Sequence, residues 1–499
     1  GFLMTEEHSS LKQIIDFRLE KLKKIRDSGI NPYPYSYSVS HKSIEILDDE
    51  KQLEGKTVTI AGRLMSLRKM GKAAFCHIQD EAGRIQIYVK RDDVGVDVYD
   101  IFKLLDIGDF IGVEGYIFKT KTGETSVHAA NITILSKSIR PIPIVKEKEG
   151  EEFDSFADKE QRYRNRHLDL IVNHDVKETF IKRAKIISFI RQFLDNDGFI
   201  EVETPVLQPL YGGANARPFS TYHNTLDQNF YLRIADELYL KRLIIGGIDK
   251  VYELAKNFRN EGIDRNHNPE FTSLEFYQAY VDYEYMMDFV EKLIQTVADK
   301  IGDLKLIWGD AKIDLSKKFV RKPMFALLSD ATGTDVSQLN EKELITICDK
   351  FNIDTPPNLN YGQILDVLMS KLVEPELIQP TFVIDYPKAI SPLAKKHRSG
   401  DPELVERFEL FIGGMEFANT FSELNDPIDQ RERFESQAKL GKAGDDEAHP
   451  VDENFLQAVE SGMPPMGGVG IGIDRLVMLL TNNRWIKDVI LFPTLRDNS

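Results

Sequence analysis

The sequence contains only two cysteines among its 499 residues, Cys76 and Cys348. Two thiols so far apart argue against a disulfide framework and against a cysteine zinc site, and they fit a reducing compartment such as the cytosol. No apolar run approaches the roughly 20 residues that a membrane span needs. No secretory signal is evident either. We therefore expect a soluble, cytoplasmic protein that does not enter a membrane.

Basic residues are outnumbered by acidic ones. The chain has 64 Lys and Arg residues against 80 Asp and Glu residues, which gives a net charge of −16. Acidity alone argues against a nucleic-acid-binding protein, which usually carries a basic patch. It does not exclude one, because a local basic surface can form on an acidic protein. The length of the chain predicts two or more domains.

The most informative stretch runs from Phe258 to Tyr277, where two apolar runs flank a polar loop. This pattern predicts two strands joined by a functional loop, which carries Arg259, Glu261, Arg265, His267 and Asn268. Side chains alternate along a strand, so one face of the second strand carries Phe271, Ser273, Glu275 and Tyr277. Such a face suits a nucleotide and a cationic substrate, whereas a plain sheet face would rarely carry these charges.

These residues resemble motif 2 of the class II aminoacyl-tRNA synthetases. The run His267–Thr272, with Glu275 and Tyr277 beyond it, is similar to the lysyl-tRNA synthetase form, and the resemblance extends over nearly the whole chain. It implies an α+β fold, with an antiparallel-sheet catalytic domain preceded by an N-terminal OB-fold β-barrel. It also implies a homodimer, Mg²⁺ as a cofactor, and ATP, L-lysine and tRNA(Lys) as partners.

The predicted domains are an N-terminal helix with an extension (1–54), an OB-fold anticodon-binding domain (55–145), a linker (146–160) and a catalytic domain (161–499) with a helical insertion around 290–380. Five β-rich runs separated by turns predict the barrel, and the first of them spans Thr57–Gly62. Lysines along the N-terminal helix either form a solvated face or contact tRNA, and the sequence leaves both possibilities open.

Exposed aromatic and amide side chains on such a barrel can stack on unpaired bases and read them. The resemblance implies that Arg63, Phe75 and Gln86 bind the anticodon. Asn131 stands where lysyl-tRNA synthetases usually have glutamate, which leaves the role of that position open.

Two further segments resemble the other class II motifs. A helix over Asp175–Asp197 and a strand over Phe199–Pro205 resemble motif 1, which builds the dimer interface in the family. The glycine-rich run Gly467–Arg475 resembles motif 3 and does not fit a dinucleotide-binding unit. Its glycines would allow a ligand close to the backbone, and Arg475 could lie over a base opposite Phe271.

The resemblance assigns ATP binding to Arg259, Glu261, His267, Asn268, Phe271, Glu409, Gly472 and Arg475, with Arg259 and Arg475 as catalytic residues. The Arg259 guanidinium is a permanently charged fork, which suits it to bridging a substrate carboxylate and an α-phosphate. His267 could reach the outer phosphates. Arg265 either joins it or is a solvated loop residue.

Gly413 and Gly414 lie between apolar runs, which predicts a two-residue hairpin turn. Pairing across this turn sets Glu409 opposite Ala418 and brings Glu409 and Glu416 to one side. Carboxylates suit Mg²⁺ bound to ATP phosphates, and both glutamates match metal positions of the family. Strict alternation would point Asn419, Phe421 and Glu423 to the opposite face from Glu416. One shared pocket therefore requires a bulge near Phe417–Ala418.

Substrate identity depends on Glu275, Glu423 and Tyr277. Two carboxylates and a phenol form a cage for a primary ammonium, and such a cage rejects amino acids that would leave the carboxylates unpaired. The resemblance implies a larger lysine-binding set, with the α-amine at the first two members: Gly213, Glu237, Arg259, Glu275, Tyr277, Asn419, Phe421, Glu423 and Gly470.

The sequence thus predicts activation of lysine by ATP and transfer to the 3′-terminal adenosine of tRNA. Three alternative functions fit the sequence less well. Enzymes that lysylate proteins lack an OB domain, and an aspartyl or asparaginyl synthetase fails on Glu275 and Glu423. A non-catalytic RNA-binding relative of the synthetases should have lost residues that this chain retains, namely Arg259, Glu409, Glu416 and Arg475.

Overall fold

The computed structural model describes residues 2–143, 146–148, 151–153, 156–214, 216–356, 359–442 and 450–497. Part of the linker predicted over 146–160 lies outside these residues. The chain divides into two compact units, residues 1–158 and 159–499. The finer domain bounds stay predictions. None of the described helices combines the length and the apolarity that a membrane span requires.

The first unit is built around a β-barrel with helices at its ends. Its helices are α1 (Phe2–Asp27), α2 (Ser43–Asp48), α3 (Glu50–Leu53), α4 (Arg91–Val94) and α5 (Val96–Phe102). Its strands are β1 (Thr57–Met70), β2 (Ala73–Gln79), β3 (Arg84–Lys90), β4 (Phe110–Lys119), β5 (Thr125–Ser136), β6 (Lys146–Lys148) and β7 (Glu151–Phe153). Strands β1 to β5 close into a barrel in the order β1-β2-β3-β5-β4, which confirms the predicted five-stranded architecture.

Alternation along each strand separates the barrel core from its surface. Ala74, Cys76 and Ile78 of β2 are fully buried, whereas Phe75 and His77 between them are only half-buried. Strand β1 is longer than the predicted Thr57–Gly62. A bulge after Leu64 bends it, so that its first half pairs with β4 and its second half with β2.

The second unit combines a large sheet with many helices. Its helices are α6 (Lys159–Arg164), α7 (Arg166–Val172), α8 (His174–Asn196), α9 (Glu237–Ile245), α10 (Tyr283–Ile301), α11 (Met324–Thr332), α12 (Glu341–Lys350), α13 (Tyr361–Leu368), α14 (Pro427–Lys442), α15 (Glu453–Glu460) and α16 (Ile473–Thr481). A π-helix spans Met369–Val373, and 3-10 helices span Val336–Gln338, Glu374–Glu376, Lys388–Ile390 and Ile486–Asp488.

The strands of this unit form one main sheet and two small ones. They are β8 (Ile200–Glu201), β9 (Leu207–Gln208), β10 (Ser220–His223), β11 (Gln228–Leu232), β12 (Lys250–Phe258), β13 (Glu270–Ala279), β14 (Lys305–Trp308), β15 (Ala311–Asp314), β16 (Val320–Pro323), β17 (Thr381–Pro387), β18 (Leu404–Ile412), β19 (Met415–Ser422) and β20 (Met466–Gly472). The main sheet has the order β16-β17-β18-β19-β20-β13-β12-β8, and its central pairs are antiparallel.

Helices α8, α10 and α16 cover one face of the main sheet. Leu274 and Phe276 of β13 point toward these helices and join the buried core, as do Val469 and Ile471 of β20. Alternation therefore directs the intervening residues of both strands to the other face, where Glu275 lies. The predicted antiparallel catalytic sheet is confirmed.

Two predicted segments differ from the structure. The motif 1 strand pairs only over Ile200–Glu201 and then leaves the sheet, consistent with Pro205, which lacks a backbone N–H. The helical insertion predicted around 290–380 is richer in helix than in strand, but it also contains β14, β15 and β16. Strands β16 and β17 belong to the main sheet, so the chain returns to this sheet both within the predicted insertion and directly after it.

We expect Gly115→Ala to destabilise the barrel. A Cβ atom there would lie 2.1 Å from the backbone oxygen of His128 on the neighbouring strand. Relief of this overlap requires strand displacement, with an expected loss of about 1–3 kcal/mol in the free energy of unfolding. Denaturant unfolding followed by far-UV circular dichroism measures this loss. Tryptophan fluorescence would not report on the barrel, since Trp308 and Trp485 both lie in the second unit.

Gly83→Ala is the matched control, because its Cβ would meet only the Ser43 hydroxyl at 3.4 Å. Its expected effect stays within about 0.5 kcal/mol. Equal losses in both variants would contradict the steric explanation.

Candidate active site

The opposite face of the main sheet carries a cavity of about 350 Å³, a volume typical of small-molecule sites. Its walls come from β13, β19 and β20, from the loop between β12 and β13, and from the start of α9. The cavity brings together nearly all of the predicted ATP- and lysine-binding residues: Gly213, Glu237, Arg259, Glu261, His267, Asn268, Phe271, Glu275, Tyr277, Asn419, Phe421, Glu423, Gly470, Gly472 and Arg475. Glu416 also lines it, whereas Glu409 is not among its lining residues in the described part of the chain.

Strand β13 supplies the floor of this cavity. Its register with β20 sets Glu275 opposite Gly470 and Tyr277 opposite Gly468. A Cβ on Gly468 would lie 2.2 Å from both Glu423 Oε1 and Tyr277 Cε1. Packing therefore requires glycine at this position of motif 3, because any larger residue would occupy the space that these two side chains fill.

Four acidic or phenolic side chains meet at one end of the cavity. Glu237, Glu275, Tyr277 and Glu423 are between 1% and 8% exposed. Tyr277 donates a hydrogen bond from Oη to Glu275 Oε2 at 3.1 Å. Glu423 Oε1 receives no hydrogen bond from any described residue. A buried carboxylate with unused acceptors favours a cationic ligand that brings its own N–H donors.

Sequence reasoning missed the cation of this cluster, Lys241. Its Nζ pairs with Glu237 and lies 2.5 Å from Glu423 Oε2, and the residue is only 1% exposed. A signal was available, because Lys241 follows Glu237 by four positions, and such residues are neighbours on a helix. The lysine reaches Glu423 only through the tertiary fold, which no local pattern reveals.

Burial dominates the electrostatics of the cluster. It raises the pKa of Glu423 to about 8, against the opposing effect of Lys241. Burial also raises the pKa values of Glu275 and Tyr277, with neighbouring carboxylates adding to the shift. A second positive charge at this end would reverse these shifts, so the cluster is poised to accept an ammonium.

Arg259 lies beyond the cluster, immediately after β12. Its Nε is buried and has no hydrogen-bond partner among the described residues. The guanidinium lies 5.1 Å from the centre of the Phe271 ring, and burial lowers its pKa. A desolvated guanidinium with an unused donor suits an anionic ligand group.

Arg475 and His267 form the far wall. Arg475 Nη1 donates to the backbone oxygen of Glu416 at 2.8 Å, and Nη2 lies 3.1 Å from His267 Nε2. The other ring nitrogen of His267 is 2.8 Å from Asp264. Arg265 instead donates to the backbone oxygen of Arg484, at the edge of the second unit's C-terminal segment.

The hairpin between β18 and β19 confirms part of its prediction and corrects another part. Gly413 and Gly414 both have positive φ, at 60° and 75°, as a two-residue turn of this kind requires. The predicted bulge is present, because Phe411 pairs with Glu416 but Leu410 pairs with Ala418. The prediction that Glu409 faces Ala418 was wrong. The extra residue, Phe417, shifts the register, so that Glu409 pairs with Asn419.

Glu409 is held from two sides. Tyr386 Oη donates to Glu409 Oε2 at 2.8 Å, and Arg407, a second residue that sequence reasoning missed, pairs with Oε1. Burial raises the pKa of Glu409 to about 7. Glu416, at 39% side-chain exposure, is the more accessible of the two carboxylates. Two carboxylates fit a Mg²⁺ ion that takes its remaining ligands from water and phosphate oxygens.

The predicted anticodon residues lie on the outer surface of the barrel in the first unit. Phe75 pairs across the strands with Tyr88, and their ring centres are 4.8 Å apart. Gln86 donates from Nε2 to Glu124 Oε2 at 2.7 Å. Arg63 donates to the backbone oxygen of Gly108 at 3.0 Å. Asn131 is exposed on β5, where its Oδ1 accepts from the backbone N–H of Ile132.

Comparison with known proteins places these two units in described families. Residues 158–496 match the model of the class II tRNA synthetases (D, K and N), and residues 58–135 match that of the OB-fold nucleic acid binding domain. Three curated relatives bear the name lysine–tRNA ligase. The protein of Carboxydothermus hydrogenoformans is 51% identical over 98% of this chain and 99% of its own length. That of Pelotomaculum thermopropionicum is 52% identical over 97% and 95%, and that of Porphyromonas gingivalis is 51% identical over 96% and 85%.

We expect Lys241→Met to destabilise the second unit, because it leaves Glu237 and Glu423 buried without their cation. Removing one partner of a buried ion pair typically costs about 3–5 kcal/mol. The loss should be larger at pH 8.5 than at pH 6, because Glu423, whose pKa is raised to about 8, is ionised above that value and takes up a proton below it. Thermal unfolding at the two pH values measures the difference.

Lys250→Met is the matched control, because its ion pair with Asp197 is partly exposed, at 28% and 38% for the two side chains. Its expected cost is under about 1 kcal/mol at both pH values. A pH-independent loss in Lys241→Met would show that packing, and not charge pairing, explains the effect.

Proposed function

The chain belongs to the class II tRNA synthetases (D, K and N), and we propose that within this family it is a lysine–tRNA ligase. It activates L-lysine with ATP to lysyl-adenylate, and then transfers lysine to the 3′-terminal adenosine of tRNA(Lys). The observation that carries this proposal is the buried carboxylate cluster, in which Glu423 Oε1 has no donor from any described residue.

Lysine selection follows from the charge of that cluster. The ε-ammonium brings three N–H donors and a positive charge to Glu275, Tyr277 and Glu423. An apolar or acidic side chain would leave these carboxylates buried and unpaired, at a cost of several kcal/mol in transition-state binding. Lys241 neutralises part of the negative charge of the cluster, so the carboxylates are not all left without a cation before lysine binds.

Adenylation takes place next to this cluster, on the side of the cavity where Arg259 lies. Glu237 and the Gly213 backbone hold the α-amine, which leaves the substrate carboxylate directed at Arg259. The guanidinium of Arg259 holds this carboxylate beside the α-phosphate and neutralises the charge that develops as its oxygen attacks phosphorus. Pyrophosphate leaves toward His267 and Arg475. No general base is needed, because the attacking carboxylate is already ionised.

Asn419, Phe421 and Gly470 complete the lysine-binding wall, and Phe271 provides the stacking surface for adenine. Glu261, Asn268 and Gly472 lie along the nucleotide side of the same cavity. Arg475 covers the opposite side of the base and acts with Arg259 as the second catalytic arginine.

Glu409 and Glu416 would hold the Mg²⁺ that accompanies ATP. The ion would supply charge neutralisation along the phosphates. Arg407 and Tyr386 orient Glu409, whereas Glu416 faces the cavity. Phosphate oxygens of ATP would supply metal ligands that the two carboxylates do not.

The barrel of the first unit serves tRNA recognition through Arg63, Phe75 and Gln86. A homodimer is part of the proposal. It is supported by exposed apolar side chains in and just after the motif 1 segments, namely Ile181, Ile200 and Leu207 at 45–53% exposure. The cytoplasmic location stays a prediction.

We expect ATP–pyrophosphate exchange with lysine and with none of the other nineteen amino acids. Glu423→Gln removes a charge from the ammonium cage, so the KM for lysine should rise by about a hundredfold, while the KM for ATP changes little. The assay is exchange of labelled pyrophosphate into ATP without tRNA.

Glu284→Gln, an exposed residue of α10, is the matched control and should behave like the wild type. Exchange with a different amino acid would overturn the substrate assignment. A folded protein that binds ATP but exchanges with no amino acid would instead support a non-catalytic relative of the synthetases.

We expect Phe75→Ala to raise the KM for tRNA(Lys) in aminoacylation by about tenfold, because stacking on an aromatic contributes about 1–3 kcal/mol per base. Exchange without tRNA should not change. Tyr35→Ala, at a fully exposed position of the same unit, controls for the loss of a surface aromatic. Equal effects of the two variants on tRNA would count against a specific anticodon contact.

A further inference from the structure

A group of basic and aromatic side chains in the second unit has no role in the proposed adenylation chemistry. Its centre is Trp485, which immediately precedes the 3-10 helix Ile486–Asp488 and is 45% exposed. Tryptophan is highly buried on average, and an exposed indole is costly to hydrate. An indole that stays open to solvent among cations therefore requires an explanation.

Two of the cations lie beside the indole ring. Lys159 Nζ is 5.5 Å from the centre of the Trp485 ring, and the Arg265 guanidinium is 5.9 Å from it. Both distances are near the outer limit of a cation–π contact, so neither cation closes off the ring. Lys159 also pairs with Asp488, at 3.4 Å. The indole is thus held between positive charges while part of its surface remains open.

The third cation, Arg484, has a prepared seat. Its guanidinium lies 4.6 Å from the centre of the Trp308 ring and directly over Gly309, where a Cβ atom would overlap Nη1. The guanidinium donates no hydrogen bond to a described residue, and its Nε is buried. Burial and the nearby Arg265 lower the pKa of Arg484, whereas Asp310 opposes them only through space. A fixed guanidinium with unused donors suits an anionic ligand group.

This surface borders the cavity. Arg265 belongs to the loop between β12 and β13, and its Nε donates to the backbone oxygen of Arg484 at 2.7 Å. In return, the backbone N–H of Ile486 donates to the backbone oxygen of Arg265 at 2.9 Å. Ile486 and His267 both line the cavity. Trp485 and Arg484 therefore stand at its rim, on the side where the outer phosphates of ATP are expected.

The chemistry of this rim matches a single strand of nucleic acid. Bases stack on exposed aromatic rings, and guanidinium groups without carboxylate partners bind phosphates. Neither Arg265 nor Arg484 forms an ion pair with a carboxylate of the described residues. In a chain whose net charge is −16, such cations make a local surface that attracts a polyanion.

We propose that Trp485 and Arg484 bind the single-stranded 3′ end of tRNA, with the indole stacked on a base and the guanidinium against a phosphate. This inference rests on the proposed lysine–tRNA ligase function and deepens it. The transfer step brings the terminal adenosine into the cavity, so the nucleotides that precede it must cross the rim. Lys159 and Arg265 keep the indole in place and add positive charge.

The first test compares the KM for tRNA(Lys) in aminoacylation with the KM values for ATP and lysine in exchange without tRNA. Trp485→Ala should raise the KM for tRNA by about tenfold, which is typical of one lost base–aromatic stack, and leave the other two unchanged. Trp485→Phe keeps an aromatic face and should stay within about twofold of the wild type. Tyr285→Ala, on α10 at 40% exposure, controls for the loss of a surface aromatic.

The second test addresses the phosphate contact through the salt dependence of tRNA binding. Arg484→Gln should reduce the slope of log affinity against log salt concentration by about 0.7, the value for one phosphate contact with a single strand. Arg484→Lys keeps the charge and should keep the slope. Lys342→Gln removes one charge from an exposed position of α12 and should also behave like the wild type. An unchanged slope in Arg484→Gln would contradict the phosphate contact.

Binding of intact tRNA(Lys), and of the same tRNA trimmed of its unpaired 3′ nucleotides, locates the stacking contact. Trp485→Ala should weaken binding of the intact tRNA only. Equal losses for both tRNAs overturn the proposal, as does an unchanged KM for tRNA. A KM for ATP that rises as much as that for tRNA also overturns it, because Trp485 would then only hold the neighbouring loop. A wild type that fails to attach lysine to tRNA(Lys) would instead defeat the proposed function itself.

Discussion

The pairing of one buried ammonium with two buried carboxylates is the interaction on which the cavity depends. Glu237 and Glu423 come from a helix and a strand segment that are far apart in the chain, and Lys241 holds them together. Without that cation, the like charges would separate or take up protons. The fold therefore builds an acidic pocket that is stable before its ligand arrives, yet still short of positive charge.

Sheet register turns this chemistry into geometry. Strand β13 faces β20, whose glycines give up side-chain volume where Tyr277 and Glu423 need it. The same two strands send Leu274 and Ile471 into the core beneath α8, α10 and α16. Recognition and stability thus use alternate residues of the same strands, so the positions of the cavity residues are fixed by the packing of the core.

The sequence predicted most of this site, because its signals are local. Alternation along the segment Phe271–Tyr277 placed four side chains on one face, and the two glycines of the hairpin specified the turn. The parity argument even required the bulge that β19 contains. Family resemblance carried the remaining residue assignments. The roles of those residues stay predictions, although the fold gathers nearly all of them around one cavity.

The misses have a common physical origin in contacts between distant segments. Lys241 reads as an ordinary residue near a helix start, because its partner Glu423 arrives only through tertiary folding. Glu409 was misplaced by one position because the bulge was predicted without its effect on the opposing register. Residues 320–323 and 381–387 were not recognised as sheet strands, since the stretch of chain between them is mostly helical.

The bulge at Phe417 has a consequence for how this segment can change over evolutionary time. Glu416 lies on one side of it and Asn419, Phe421 and Glu423 on the other, and all four reach the same cavity only because one residue is unpaired. Losing or gaining a single codon here would turn every side chain on one side of the change toward the opposite face. The strand can therefore accept exchanges of residue type at many positions, but its length is locked.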